Sequence, residues 1–177
     1  GQPWGARGLA GHLPDDQPVY AAQAPEARGD GTSPDTLEEV AAAYVAALRT
    51  IEPDGPFHLV GWSAGGLVAF EMARQLISRG ESVPAVVLIE ARAPLLVGLP
   101  PDAAGTYVKL DADGRPQVLA PHDRVSEAEL HYARAIDRYE AGRFDGHVVV
   151  VQAQEGRDPA PDAGWSRFAR TWEGHIV

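Results

Sequence analysis

Residues 55–73 read GPFHLVGWSAGGLVAFEMA, and they contain the most informative pattern of the sequence. At its centre is the G-x-S-x-G motif Gly61-Trp62-Ser63-Ala64-Gly65, which follows the apolar run 57–60 and precedes a helical apolar pattern. A serine between a buried strand and a helix occupies a sharp turn, and the flanking glycines leave room for the backbone to double back. The motif therefore predicts a nucleophile elbow, with Ser63 as the nucleophile and the backbone N–H of Ala64 as an oxyanion donor.

Two further apolar runs, Val86–Ile89 and Val148–Val151, show no polar alternation. Strands of this kind are covered on both faces, as in parallel sheets. Because helical patterns lie between the runs, they predict one α/β domain over residues 1–177, with a mostly parallel sheet and helices on both faces. An irregular, proline-containing segment over about residues 94–143 is expected as an insert in this domain.

Local signals predict the remaining elements. They indicate a strand at Gln17–Ala21, a helix with Ser33 as its cap and Pro34 as its first residue, a helix from Ser126 to about Glu140, a helix around Trp165–Trp172, and a strand that begins at His175.

Composition excludes several classes of function. The chain has a net charge of −10, which is the wrong sign for holding a phosphate backbone, so no nucleic acid is expected as a partner. It has no cysteine, which excludes disulfides, thiolate nucleophiles and cysteine-based zinc sites. No window is apolar enough for a membrane span, and the first residues lack the pattern of a signal peptide. We therefore expect a cytoplasmic location without membrane contact.

The segment Gly55–Ala73 resembles the nucleophile region of type I thioesterase domains. These α/β-hydrolase domains end the assembly lines of nonribosomal peptide synthetases and polyketide synthases. The segments 9–20, 44–56 and 139–154 are also similar to the family. The resemblance implies that a carrier protein delivers an acyl or peptidyl thioester on its phosphopantetheine arm, that Ser63 takes the chain, and that hydrolysis or macrocyclisation releases it. It implies no cofactor or metal of the domain's own, and a short lid in the insert 94–143.

The resemblance also implies that Glu90 is the acid of the catalytic triad, because the family's acid directly follows the strand after the elbow helix. The family usually has Asp there, so the longer side chain of Glu90 must fold back to reach the imidazole. In many other α/β-hydrolases the acid comes one strand later, which favours Glu155 or Asp158.

The sequence does not contain an obvious candidate for the catalytic histidine, the base of the triad. The family's histidine lies in a Gly-Asp/Asn-His segment after the last strand, and this sequence has no such segment. His175 satisfies the chain order of serine, acid, histidine, but it serves as the base only if Glu173-Gly174 form a loop. We expect instead that the base lies beyond Val177. The second oxyanion donor is expected in a loop before Gln2, with Gly1 as a candidate for its last residue.

Two other functions stay open at this point. One is a free-standing α/β-hydrolase that acts on small oxoesters. The other is an inactive fragment, or a carrier-binding module, that lacks the catalytic histidine. Transfer of an acyl group from a carrier protein to the chain separates the thioesterase from both.

Overall fold

A computed structural model describes residues 4–22, 34–94, 108–110, 116–118, 132, 134–154 and 160–177. Its helices are α1 (Trp4–Ala10), α2 (Leu37–Ile51) and α3 (Ala64–Ser78), with a 3₁₀ turn at Trp165–Arg167. Its strands are β1 (Leu59–Trp62), β2 (Val86–Ile89), β3 (Val108–Leu110), β4 (Pro116–Val118), β5 (Phe144–Gln152) and β6 (Ala169–Ile176). No helix of this described part is long and apolar enough to cross a membrane.

The main sheet has four strands in the order β1-β2-β5-β6, and every pair is parallel. The register aligns Trp62, Ile89, Val151 and His175 in one row near the carboxyl ends of the strands. This sheet confirms the predicted α/β fold. A separate antiparallel pair, β3 with β4, lies within the segment expected as an insert.

Helix α3 covers one face of the main sheet. It packs on β1, β2 and β5, and α2 packs on its outer side. Because side chains alternate along a strand, Val86 and Leu88 of β2 face α3 and are fully buried. On the opposite face of β1, Val60 is 46% exposed and Trp62 is 66% exposed. Helical cover is therefore seen on one face in the described part of the chain.

Two expectations for the N-terminal part are wrong. Residues 18–22 have no regular secondary structure, although a strand was expected at 17–21. Helix α2 begins at Leu37 rather than Pro34, because the Thr36 hydroxyl accepts a hydrogen bond from the Glu39 N–H at 3.2 Å. The Glu39 carboxylate in turn accepts the N–H of Asp35, the residue before the cap, at 2.8 Å, so the helix start is bonded three residues later than expected.

The C-terminal part also differs from expectation. A single 3₁₀ turn replaces the helix expected around Trp165–Trp172, and β6 already begins at Ala169. Strand β6 pairs in parallel with β5 between Phe144 and Gln152. This pairing provides hydrogen-bond partners for backbone N–H and C=O groups along that edge of β5. The predicted helix from Ser126 lies mostly outside the described residues, although 134–137 are helical.

A buried carboxylate ties the end of the insert to α3. Glu71 is 3% exposed and accepts hydrogen bonds from the Tyr139 hydroxyl at 2.8 Å, Arg74 at 2.6 Å and Gln75 at 3.1 Å. Arg74 also donates to the backbone carbonyl of Arg143 at 3.2 Å. Burial, together with the neighbouring Glu71 charge, raises the pKa of the Tyr139 phenol far above its ordinary value. Tyr139 therefore stays protonated and donates to the carboxylate.

We expect Tyr139→Phe to lower the free energy of unfolding by about 1.5–3 kcal/mol, because it removes a hydrogen bond to a buried charged acceptor. Urea unfolding measures the change, with Tyr44→Phe on α2 as the control for loss of a half-buried phenol. The raised pKa of Tyr139 stabilises the fold below the ordinary tyrosine pKa of about 10, and this contribution is lost as the pH rises above it. The variant should therefore lose less stability than wild type at alkaline pH. A change below about 0.5 kcal/mol would contradict this role.

Candidate active site

Ser63 occupies the single-residue turn between β1 and α3. Its backbone has φ 51° and ψ −126°, a conformation that L-residues rarely adopt and that costs about 1–3 kcal/mol. The Ser63 N–H donates to the carbonyl of Ile89 at 2.9 Å, and the Ser63 carbonyl accepts the N–H of Gly66 at 2.9 Å. The turn is thus bonded to β2 on one side and to the first turn of α3 on the other, as expected for a nucleophile elbow.

The glycines around the serine differ in what they do. A Cβ on Gly61 would collide with the carbonyl oxygen of Gly65 and lie 2.6 Å from the Cα of Gly66. A Cβ on Gly66 would overlap the Cβ of Ala91, whereas a Cβ on Gly65 meets nothing within 4 Å. The expectation that both glycines of the motif make room is therefore wrong for Gly65. The space is made by Gly61 and by Gly66. The sequence signal for Gly66 is the second glycine of the pair Gly65-Gly66.

The Ser63 hydroxyl does not cap the helix that follows it, although a serine at a helix N-terminus usually does. Ser63 is the N-cap of α3, but its side chain makes no capping hydrogen bond to the helix. The residue is exposed, and Ala64 follows it as the first residue of α3. The first N–H groups of a helix have no intrahelical acceptor and carry a partial positive charge. The N–H of Ala64 is therefore suited to stabilise a negative oxygen next to Ser63.

Glu90 lies beside Ser63 at the carboxyl edge of the sheet. It follows β2 directly, and the register of Trp62 with Ile89 places the two following residues side by side. The Glu90 backbone also has a positive φ of 49°, and its N–H donates to the carbonyl of Val151 at 2.9 Å. Its Oε1 accepts the backbone N–H of Ala153, just beyond β5. One carboxylate oxygen is thus fixed, and the other accepts no hydrogen bond from the residues that the structure describes.

His175 does not fulfil the condition under which it would act as the base. It lies inside β6, paired with Val151, rather than after a loop at Glu173-Gly174. At about 4.8 Å per strand, the row places its Cα about 14 Å from that of Trp62. Its Nε2 lies 3.4 Å from a carboxylate oxygen of Glu173, and its side chain is 54% exposed. The structure does not bring His175 and Ser63 together.

Several predicted site residues lie outside the described part of the chain. These are the alternative acids Glu155 and Asp158, and Gly1, the candidate oxyanion-loop residue. Among the residues that the structure describes, no group of three or more His, Cys, Asp or Glu is arranged to hold a metal ion.

Comparisons with known proteins agree on one family. The model of the thioesterase domain family matches residues 6–106, more than half of the chain. A non-reducing polyketide synthase of Cladonia metacorallifera is 37% identical over 156 residues, which cover 81% of this chain and 7% of the synthase. A dimodular nonribosomal peptide synthase of Bacillus subtilis (strain 168) is 43% identical over 94 residues, or 51% of this chain and 4% of that protein. The chain thus spans a small part of the length of these relatives.

A solved structure extends the similarity over the whole chain. The NocB thioesterase domain, crystallised as a covalent complex with a fluorophosphonate nocardicin G analog, has a TM-score of 0.71 and 27% identity. The match covers 100% of this chain and 79% of that domain. The resemblance stated from Gly55–Ala73 and the α/β-hydrolase fold are therefore confirmed.

We expect Gly61→Ala to destabilise the fold and Gly65→Ala not to. Gly61→Ala forces a Cβ into the backbone of α3 and should lower the free energy of unfolding by about 2–3 kcal/mol. Gly65→Ala places its Cβ in open space on a helix and should leave stability unchanged or raise it by up to about 1 kcal/mol. Urea unfolding of both variants makes the comparison. Equal destabilisation by the two would show that the elbow is not packed in this way.

Proposed function

Because the chain belongs to the thioesterase domain family, we propose that it releases an acyl or peptidyl chain from a carrier protein by way of an ester on Ser63. One observation carries this proposal: the Ser63 hydroxyl, free of capping, stands on a strained turn directly before the first N–H of α3, and Glu90 follows the neighbouring strand β2. A serine needs a neighbouring base and an oxyanion donor to attack a carbonyl at neutral pH, and this turn offers the place for both.

In the proposed first step, the Ser63 Oγ attacks the carbonyl carbon of the thioester while its proton passes to an imidazole base. The Ala64 N–H stabilises the tetrahedral oxyanion. The C–S bond then breaks, the thiolate takes the proton from the imidazolium, and the acyl group remains on Ser63. In the second step, water or a nucleophile within the bound acyl or peptidyl chain gives its proton to the base and attacks the ester carbonyl. The bond between that carbon and the Ser63 Oγ then breaks, and the Oγ takes the proton back from the imidazolium. Release is then hydrolysis or macrocyclisation.

Glu90 is the proposed acid that orients this base. Its Oε1 is held by the N–H of Ala153, and we assign its other oxygen to the imidazole. We propose that the base is a histidine beyond Val177, as the family resemblance implies. The position of His175 within β6 supports a different residue for this role. Glu155 and Asp158 remain the alternative acids.

The substrate is proposed to arrive as a thioester on the phosphopantetheine arm of an acyl or peptidyl carrier protein. The names of the relatives support this class, since they are a polyketide synthase and a nonribosomal peptide synthase. The proposed steps use side chains, backbone N–H groups and the substrate alone, so the domain needs no cofactor of its own.

We expect Ser63→Ala in the full-length protein to abolish both the covalent adduct with a fluorophosphonate and the acyl-enzyme formed from an acyl carrier-protein thioester. Intact-protein mass spectrometry detects both products. Ser78→Ala, at the other end of α3, is the matched control and should retain both. An adduct that persists in Ser63→Ala would contradict the assignment. Rapid cleavage of a nitrophenyl ester without any transfer from the carrier protein would favour the small-ester hydrolase.

We expect Glu90→Gln to lower kcat by about 10⁴-fold, the size of effect seen when the acid of a triad is neutralised. The amide keeps the shape of the carboxylate but loses the charge that stabilises the imidazolium. Glu173→Gln, on the exposed strand β6, is the control and should be close to wild type. Near-normal turnover of Glu90→Gln, together with a large loss in Glu155→Gln or Asp158→Asn, would place the acid after β5 instead.

A further inference from the structure

The segment that follows Glu90 is held by a loop far away in the sequence. The carbonyl of Ala91 accepts a hydrogen bond from the indole N–H of Trp165 at 2.8 Å. Two residues on, the N–H of Ala93 donates to the carbonyl of Ala163 at 3.0 Å. Ala91 and Ala93 are both buried, so these bonds are shielded from water. The backbone directly after Glu90 is therefore fixed from the loop that precedes β6.

Trp165 itself is immobilised. It is fully buried, and its ring centroid lies 4.5 Å from that of Phe70 on α3 and 6.2 Å from that of Phe168. Packing of this kind leaves the indole one orientation, since core side chains fill their space at crystal-like density. The indole N–H is thus a fixed donor for Ala91 rather than one of several contacts of a mobile ring.

The loop that carries Trp165 is shaped for this position. Ala163 and Gly164 have φ values of 45° and 86°, and a non-glycine residue adopts such a φ only where its surroundings impose it. Asp162 holds the loop by accepting hydrogen bonds from the Gly164 N–H at 3.2 Å and from the Ser166 hydroxyl. The Ser166 bond lowers the pKa of the Asp162 carboxyl, which therefore stays ionised as an acceptor at neutral pH.

The same stretch of backbone also touches the elbow. A Cβ on Gly66 would overlap the Cβ of Ala91, so Ala91 lies directly against the first turn of α3. Ala91 is therefore held between the helix that follows Ser63 and the indole of Trp165. Because Ala91 is bonded directly to Glu90, a shift of Ala91 would move Glu90, which has the positive φ of 49°.

We propose that Trp165 is a positioning residue for the acid: its indole N–H holds the Ala91 carbonyl and thereby aims the Glu90 carboxylate at the base. This inference rests on the proposed role of Glu90. A tryptophan that only fills the core would affect stability and the amount of folded protein. A positioning tryptophan affects the turnover of each folded molecule, and only while Glu90 carries its charge.

Trp165→Phe, made in the full-length protein, keeps an aromatic ring but removes the donor. We expect kcat per active site to fall about tenfold, the effect of losing one ordinary hydrogen bond, with KM for the carrier-bound thioester unchanged. Titration with a fluorophosphonate counts the competent sites and so removes any effect of unfolded protein. Trp172→Phe, on the exposed strand β6, is the matched control and should keep wild-type kcat.

A double-mutant cycle with Glu90→Gln gives the deciding result. Once the acid is neutral, adding Trp165→Phe should change the residual kcat by less than about twofold. A second tenfold loss in that background, or a wild-type kcat in Trp165→Phe alone, would overturn the positioning role and leave the function of Glu90 intact. A near-normal kcat in Glu90→Gln alone would instead remove the proposed acid, and with it the premise.

If Trp165→Phe does not fold, 3-benzothienylalanine at position 165 replaces the indole N–H by sulfur with almost the same shape. It should give the same tenfold loss of kcat and the same absence of effect in the Glu90→Gln background. A wild-type kcat with this residue would show that ring packing alone is required, and would overturn the proposal.

Discussion

The first turn of α3 lies in direct contact with the carboxyl ends of β1 and β2, and the rest of the site depends on this contact. It exists because Gly61 and Gly66 have no side chains: a Cβ on Gly61 would collide with the backbone of α3, and a Cβ on Gly66 with the Cβ of Ala91. The close approach forces the chain to reverse within one residue, and Ser63 takes the strained φ of 51° as a result. A side chain at either glycine would separate the helix from the sheet.

Hydrogen bonds across the sheet carry this constraint to the neighbouring strands. The N–H of Ser63 is bonded to β2 and that of Glu90 to β5, so the two residues continue the parallel ladder beyond the last paired residues of their strands. Both have a positive φ, and both follow their strands at the carboxyl edge of the sheet. Ala91 and Trp165 extend the connection to the loop before β6. The relative position of nucleophile and acid is thus set by backbone contacts.

The sequence predicted the parts that depend on local pattern. Strand β2 and the elbow at Ser63 were found because apolar runs and glycine spacing report burial and turn geometry directly. The region around Trp165 was not, because its backbone is set by a core contact with Phe70 and by pairing with β5, which a helical pattern does not reveal. The hydrogen bond from the Ala153 N–H to Glu90 also had no signal in the sequence, because any residue except proline supplies such an N–H.

A crystal structure of the full-length protein after reaction with a fluorophosphonate is the decisive test of Ser63 as the nucleophile and Ala64 as the oxyanion donor. The phosphonyl oxygen of the adduct takes the place of the oxyanion. We expect a bond from phosphorus to the Ser63 Oγ and a phosphonyl oxygen about 2.7–3.1 Å from the nitrogen of Ala64. We also expect the Glu90 carboxylate to keep its hydrogen bond to Ala153. A phosphorus on another residue, or a phosphonyl oxygen turned away from the start of α3, would contradict the account.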